Sequence, residues 1–107
     1  MKFMMKSETI SQSMAQGVKR SVLVHNEDLM MVEVHFEKGS VAALHSHPHQ
    51  QMSYILSGSF EFENDGEKRS LGQGDSVLLA SGVQHGVLCT EEGKVLDVFN
   101  PERKDFL

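Results

Sequence analysis

Four side chains in this chain have metal-ligand chemistry and a spacing that brings them together: His45, His47, Gln51 and His85. His45 and His47 stand two apart, which on a β-strand turns both imidazoles to the same side. Pro48 bends the path, and Gln51 can return to that side as the following strand begins. His85 arrives from a separate hairpin. Three imidazole nitrogens and one amide oxygen form a half-shell for one divalent transition metal, with positions left for water or substrate. Nickel, zinc, iron and manganese all tolerate such donors. His25, His35 and His49 read as ordinary exposed or hydrogen-bonded histidines.

A second feature lies in the last strand, Val95-Leu96-Asp97-Val98-Phe99, where an acid interrupts an apolar run. A carboxylate in a β core is costly unless it is paired. Alternation puts Val95, Asp97 and Phe99 on one face. If that face looks inward, Asp97 looks toward the metal and Phe99 lines the mouth; otherwise Asp97 caps a backbone N–H near a strand end. Arg103 follows in Pro101-Glu102-Arg103-Lys104. By composition it is a solvated charge, but at a barrel rim it could clamp a substrate carboxylate through two parallel hydrogen bonds.

The elements that position these groups read as short strands. Leu29 to Glu37 alternates, with Val32, Val34 and Phe36 on one face and Glu33, His35 and Glu37 on the other. Asn26-Glu27-Asp28, Asp65-Gly66 and Gly72-Gln73-Gly74-Asp75 are turn signals. Ser57-Gly58-Ser59 reads as a hairpin and Glu91-Glu92-Gly93 as another turn. Asn100-Pro101 ends the last strand, because proline cannot donate into a ladder. Eight or nine strands at intervals of about 8–12 residues, with no useful helical stripe, predict an all-β sandwich or barrel.

A chain of 107 residues forms one domain. Residues 18–107 are read as the barrel. Residues 1–17 are polar and weakly patterned, and either fray or pack across a barrel edge or a partner subunit. The single cysteine, Cys89, excludes an internal disulfide and fits a reducing, cytoplasmic setting. No stretch has the length of a signal peptide's apolar core or a membrane span. The net charge of −5, with scattered Lys and Arg, argues against nucleic acid. It leaves small anionic substrates open.

The two histidine segments together carry a resemblance. Gly39-x5-His45-x-His47-x3-Gln51-x6-Gly58 resembles the first motif of the cupins, whose usual form has Glu at the Gln51 position. Gly74-x5-Ala80-x-Gly82-x2-His85-x3-Cys89 resembles their second, with Ala80 and Cys89 where Pro and Asn are common. The resemblance implies a conserved β-barrel (a double-stranded β-helix, or jelly roll) with its metal inside. A carboxylate ligand would leave such a site near a charge of about +1, whereas Gln51 leaves it near about +2. That favours an anionic substrate oxygen and tilts the expectation from dioxygen chemistry toward Lewis-acid chemistry.

With the ending LDVFNPERKDFL, the chain from Val18 to Leu107 is similar to the KdgF-type pectin-degradation cupins. Those proteins linearise 4,5-unsaturated monouronates from pectin or alginate breakdown to 5-keto-4-deoxyuronate. The resemblance implies metal ligands at His45, His47, Gln51 and His85. It implies Asp97 and Arg103 as catalytic residues, with Phe99 and Arg103 against a small sugar-acid substrate. Two other functions fit the same residues: a cupin dioxygenase acting on a small organic molecule, and a non-catalytic sugar-acid binder. A homodimer is expected, since a barrel this small with a loose N-terminus often packs against its twin.

Overall fold

The structure, a computed structural model, describes all 107 residues. Eight strands run in order: β1 (Ser11–Ala15), β2 (Val18–His25), β3 (Met30–Phe36), β4 (Val41–His45), β5 (Gln50–Asn64), β6 (Glu67–Gly72), β7 (Ser76–Leu79) and β8 (His85–Asn100). Single 3-10 turns, Lys6–Glu8 and Lys104–Phe106, lie at the two ends. No helix is long and apolar enough to cross a membrane.

The long strands β5 and β8 pair with each other and belong to two sheets at once. In one sheet, β1, β2 and β3 lead to the C-terminal half of β8, then the N-terminal half of β5 and finally β7. In the other, β4 pairs with the N-terminal half of β8, whose partner is the C-terminal half of β5, with β6 at its edge. The result is the cupin-type barrel that the strand pattern and motifs predict.

The two segments read as reversals at Ser57-Gly58-Ser59 and Glu91-Glu92-Gly93 lie inside continuous strands. They are the bends at which β5 and β8 pass together from one sheet into the other. Register slips at Ile55/Ser57, Ser57/Ser59 and Ser59/Phe60 mark bulges, which kink a strand and increase its twist. Gly58 has φ +79°, and a Cβ there would strike the carbonyl oxygens of Glu91 and Glu92. A Cβ at Gly93 would strike the carbonyl of Ser57. The glycines therefore permit backbone to lie against backbone, a use that a local turn signal resembles.

Shorter turns follow the reading. The Asn26 side chain accepts hydrogen bonds from the N–H groups of Asp28 and Leu29, at 2.8 and 2.9 Å. Asp65 and Gly66 both take positive φ between β5 and β6, as a tight hairpin requires. The Asp75 carboxylate accepts from the Gly72 N–H at 2.8 Å. Within residues 1–17, β1 pairs with β2 as the outermost strand of its sheet.

The inward faces meet in one core. Val18 from β2 and Val32, Val34 and Phe36 from β3 pack with Ile55, Phe60 and Phe62 from β5 and Val95 from β8. Phe36 and Phe60 meet edge to face at 5.2 Å. Each such side chain contributes about 1.5–3 kcal/mol on burial. The alternation of β3 is therefore the barrel wall made visible in the sequence.

Gly93→Ala should destabilise the fold by about 3 kcal/mol or more, because its methyl group has backbone in its way. Gly72→Ala, with nothing within 4 Å of the added carbon, should cost about 0.5 kcal/mol or less. Equal urea midpoints for the two variants would refute this account of the bend.

Candidate metal centre

His45 ends β4 and pairs across the ladder with His85, the first residue of β8. His47 lies beyond β4, in the bend before β5. Strand alternation is thus not what brings His45 and His47 together. Pro48 interrupts the ladder, and the carbonyl of His47 is held instead by the Gly82 N–H at 2.9 Å. Gln51 sits near the start of β5 between Leu79 and Phe99. Three separate elements thus converge. One ring nitrogen from each of His45, His47 and His85 lies within 4.8 Å of the others, close enough for the three to hold one metal ion.

The hydrogen bonds set the tautomers. Nδ1 of His45 donates to the Ala43 carbonyl at 2.8 Å, Nδ1 of His47 to the His49 carbonyl at 3.1 Å, and Nδ1 of His85 to the Val83 carbonyl at 3.0 Å. A carbonyl accepts only, so each Nδ1 carries the proton and each Nε2 presents a lone pair. Burial, the largest influence, lowers the pKa of His47 and pushes that of His85 down to about 4. Both rings are consequently neutral at pH 7, the state in which imidazole binds a metal.

Two contacts have no partner of the right kind within the protein. His85 Nε2 is buried and makes no hydrogen bond. His47 Nε2 stands 3.0 Å from Gln51 Oε1, which turns one lone pair toward another. The amide orientation follows from its other end, where Gln51 Nε2 donates to Ser53 Oγ at 3.0 Å. A cation shared by these atoms relieves both conflicts. The donor set, three imidazoles and a carbonyl oxygen, suits a divalent transition metal.

Asp97 lies beside this cluster. It pairs across strands with Ser53, whose hydroxyl donates to Asp97 Oδ1 at 2.6 Å. A continuous path therefore runs from Gln51 through Ser53 to Asp97. Burial pushes the Asp97 carboxyl up to about 6, opposed by hydrogen bonds from Ser53 and Gln51 and by the charge of Arg103. Asp97 lines one cavity together with His45, Gln51, His85, Phe99 and Arg103.

Phe99 is only 2% exposed. It forms a buried wall of that cavity rather than its rim, with its ring 5.8 Å from His47 and 6.4 Å from His49. Arg103 reaches the cavity from beyond β8, and part of its fork is occupied. Its Nε and Nη2 donate to Asp105 at 3.0 and 2.8 Å, which lowers the Asp105 pKa. Its remaining N–H groups stay available to an incoming carboxylate.

The other histidines have separate partners. His25 pairs with Glu102 at 2.8 Å, and His35 with Glu92 at 3.0 Å on the surface. His49 Nε2 bonds to the Glu102 carbonyl at 3.1 Å. Ser53, Asp105 and Phe106 went unnoticed in the sequence. Ser53 had a readable signal, since it lies two residues after Gln51 on an alternating strand. Asp105 and Phe106 had none, because their importance depends on where the C-terminal turn lands.

The cupin domain family profile matches residues 32–99. The pectin degradation protein KdgF of Dickeya dadantii (strain 3937) is 43% identical over 99% of this chain and 98% of that protein. The solved structure of KdgF from Halomonas sp. superposes with a TM-score of 0.93 at 37% identity, covering 99% of this chain and 98% of that one. An RmlC-like cupin from Shewanella frigidimarina gives a TM-score of 0.93 at 36% identity, covering 98% and 95%.

His85→Ala should weaken zinc or nickel binding by about 100-fold or more, measured by calorimetry on protein first stripped with a chelator. Gln51→Glu should tighten binding, because a carboxylate replaces a neutral amide. Equal affinities in wild type and both variants would show that the ion binds elsewhere.

Proposed function

Because the chain belongs to the cupin family, as one of its KdgF-type members, we propose that it linearises 4,5-unsaturated monouronates to 5-keto-4-deoxyuronates. The observation that carries this reading is the clustering of three lone-pair imidazole nitrogens beside the Asp97 carboxyl, which lines one cavity with His45 and His85. The Dickeya dadantii relative, named for pectin degradation, supports a sugar-acid substrate.

His45, His47, Gln51 and His85 would hold the ion. When bound, a divalent metal there supplies Lewis acidity toward substrate oxygens. The rest of the chemistry falls to the protein. The unsaturated ring is an enol ether closed through a hemiacetal. Opening it breaks the bond between C1 and the ring oxygen as the anomeric hydroxyl loses its proton, leaving an aldehyde at C1 and an enol at C5. Delivery of a proton to C4 and loss of the enol proton give the ketone. The reaction is an isomerisation, with no atom gained or lost.

Asp97 is the acid–base group for these transfers, with Ser53 orienting one of its oxygens. Arg103 engages the substrate carboxylate through the N–H groups that Asp105 leaves free. Phe99 supplies an apolar wall against the sugar and excludes water from Asp97.

We further propose a homodimer built on the outer face of the sheet that contains β7. Met52 neighbours Leu78 on one side and Val98 on the other, and Val98 neighbours Met31. Leu78 is 61% exposed and Met52 56%, an apolar row that favours a partner. Light scattering should give twice the chain mass for wild type and the chain mass for Met52→Glu. A monomeric wild type would end the dimer proposal.

The enzymatic reading is tested by ultraviolet absorbance of unsaturated galacturonate, whose conjugated double bond is lost in the product. Wild type should accelerate the loss, and a chelator should abolish the acceleration. Asp97→Asn should keep its metal and slow turnover by about 100-fold or more. No acceleration by fully metallated wild type would refute the uronate assignment, and full activity in Asp97→Asn would remove that residue from the chemistry.

A further inference from the structure

Phe106 packs against two cations. The guanidinium carbon of Arg20 lies 4.0 Å from its ring centroid, and that of Arg103 lies 4.2 Å away. Both guanidinium groups therefore pack against the same ring. The stack continues inward. Arg103 lies 5.2 Å from the Phe99 centroid, and Phe99 meets Phe106 edge-on at 5.8 Å. Phe106 belongs to a three-residue 3-10 turn near the chain's end, an element too short to fix a side chain by itself.

The setting of Arg20 is distinctive. On β2 it shares a face with Val18 and Val22, which belong to the core or pack against it. Its Nε is buried without a hydrogen-bond partner, and it takes part in none of the chain's ion pairs. A neutral side chain of similar length would fill that space without the cost of desolvating a charge. The contact that compensates the charge is the face of Phe106. Asp105 is the one carboxylate hydrogen-bonded to either arginine. An anion that enters beside Arg103 therefore meets an excess of positive charge.

We propose that Arg20 is a positioning residue for substrate binding: it pins Phe106, and Phe106 in turn holds the Arg103 guanidinium against the cavity, ready for a carboxylate. The proposal rests on the uronate reading for the identity of that carboxylate, but the mechanical link from Arg20 to Arg103 does not.

Two measurements separate these parts. The first is the Nε–H resonance of Arg103 in a nitrogen-15 spectrum, assigned by its disappearance in Arg103→Lys. The second is steady-state kinetics on unsaturated galacturonate and on its methyl ester. Arg20→Met keeps the stem and removes the charge. It should move the Arg103 signal downfield as ring shielding is lost. KM for the acid should rise about fivefold, with kcat within about twofold and the ester unaffected. Arg20→Lys should recover most of both changes. Phe106→Leu, which leaves Arg20 in place, should reproduce the changes seen with Arg20→Met.

Phe106→Leu, which removes the ring itself, calibrates the size of the shift. An Arg103 resonance that stays put in Arg20→Met would overturn the proposal. So would an equal rise in KM for acid and ester, which indicates a merely structural role. A resonance that moves as expected, in a protein whose wild type does not act on the uronate, would support the positioning role and refute the uronate assignment. If Arg20→Met does not fold, Arg20→Gln, which also removes the charge, carries the same test.

Discussion

Where β5 and β8 bend together, backbone lies against backbone with no side chain between: Gly58 against Glu91 and Glu92, and Gly93 against Ser57. The rest of the molecule depends on that crossing. It lets two long strands serve two sheets, so that the sheets close over one another without a separate connection. It also divides the site between them. Gln51, Ser53, Asp97 and Phe99 lie on the halves of β5 and β8 that pair in one sheet, while His45 and His85 face each other in the other. Without the bend the acid and the imidazoles would not share a cavity.

Within that frame, the electrostatics of the centre come from backbone carbonyls. Each of the three imidazoles spends its Nδ1 proton on a carbonyl two residues away along the chain. Local backbone geometry thus settles which nitrogen faces inward, and no outer carboxylate is needed to orient the rings. The lone pairs that meet at His47 and Gln51, and the unpartnered Nε2 of His85, follow directly. A site so arranged is strained as a purely protein structure and relaxed as a ligand set.

Much of this was legible in the chain. The alternation of β3 showed its inward face, and Asn26, Asp65-Gly66 and Asp75 marked turns whose hydrogen bonds are local. Such features are decided by neighbours a few residues away. The bends at Gly58 and Gly93 were misread because their glycines answer to a strand distant in sequence, and nothing nearby distinguishes them from turn glycines. The convergence of His45 and His47 was anticipated for a strand, but His47 reaches the site from a loop that Gly82 anchors. Arg20, Asp105 and Phe106 stayed hidden for the same reason as the bends. Their meaning lies in a contact between the second strand and the last turn, some eighty residues apart along the chain.

Gln51 holds two different bonds with the two ends of one amide: its oxygen faces His47, and its nitrogen donates to Ser53, which donates in turn to Asp97. An amide is a conjugated unit, so electron density drawn toward its oxygen makes its N–H groups better donors. Positive charge at the oxygen therefore tightens the grip on Ser53, and through Ser53 on Asp97. A carboxylate at this position would bind a cation more strongly but has no hydrogen to offer Ser53, and the relay would be cut at its first link. The glutamine gives the chain of contacts from His47 through Ser53 to Asp97 a fixed polarity.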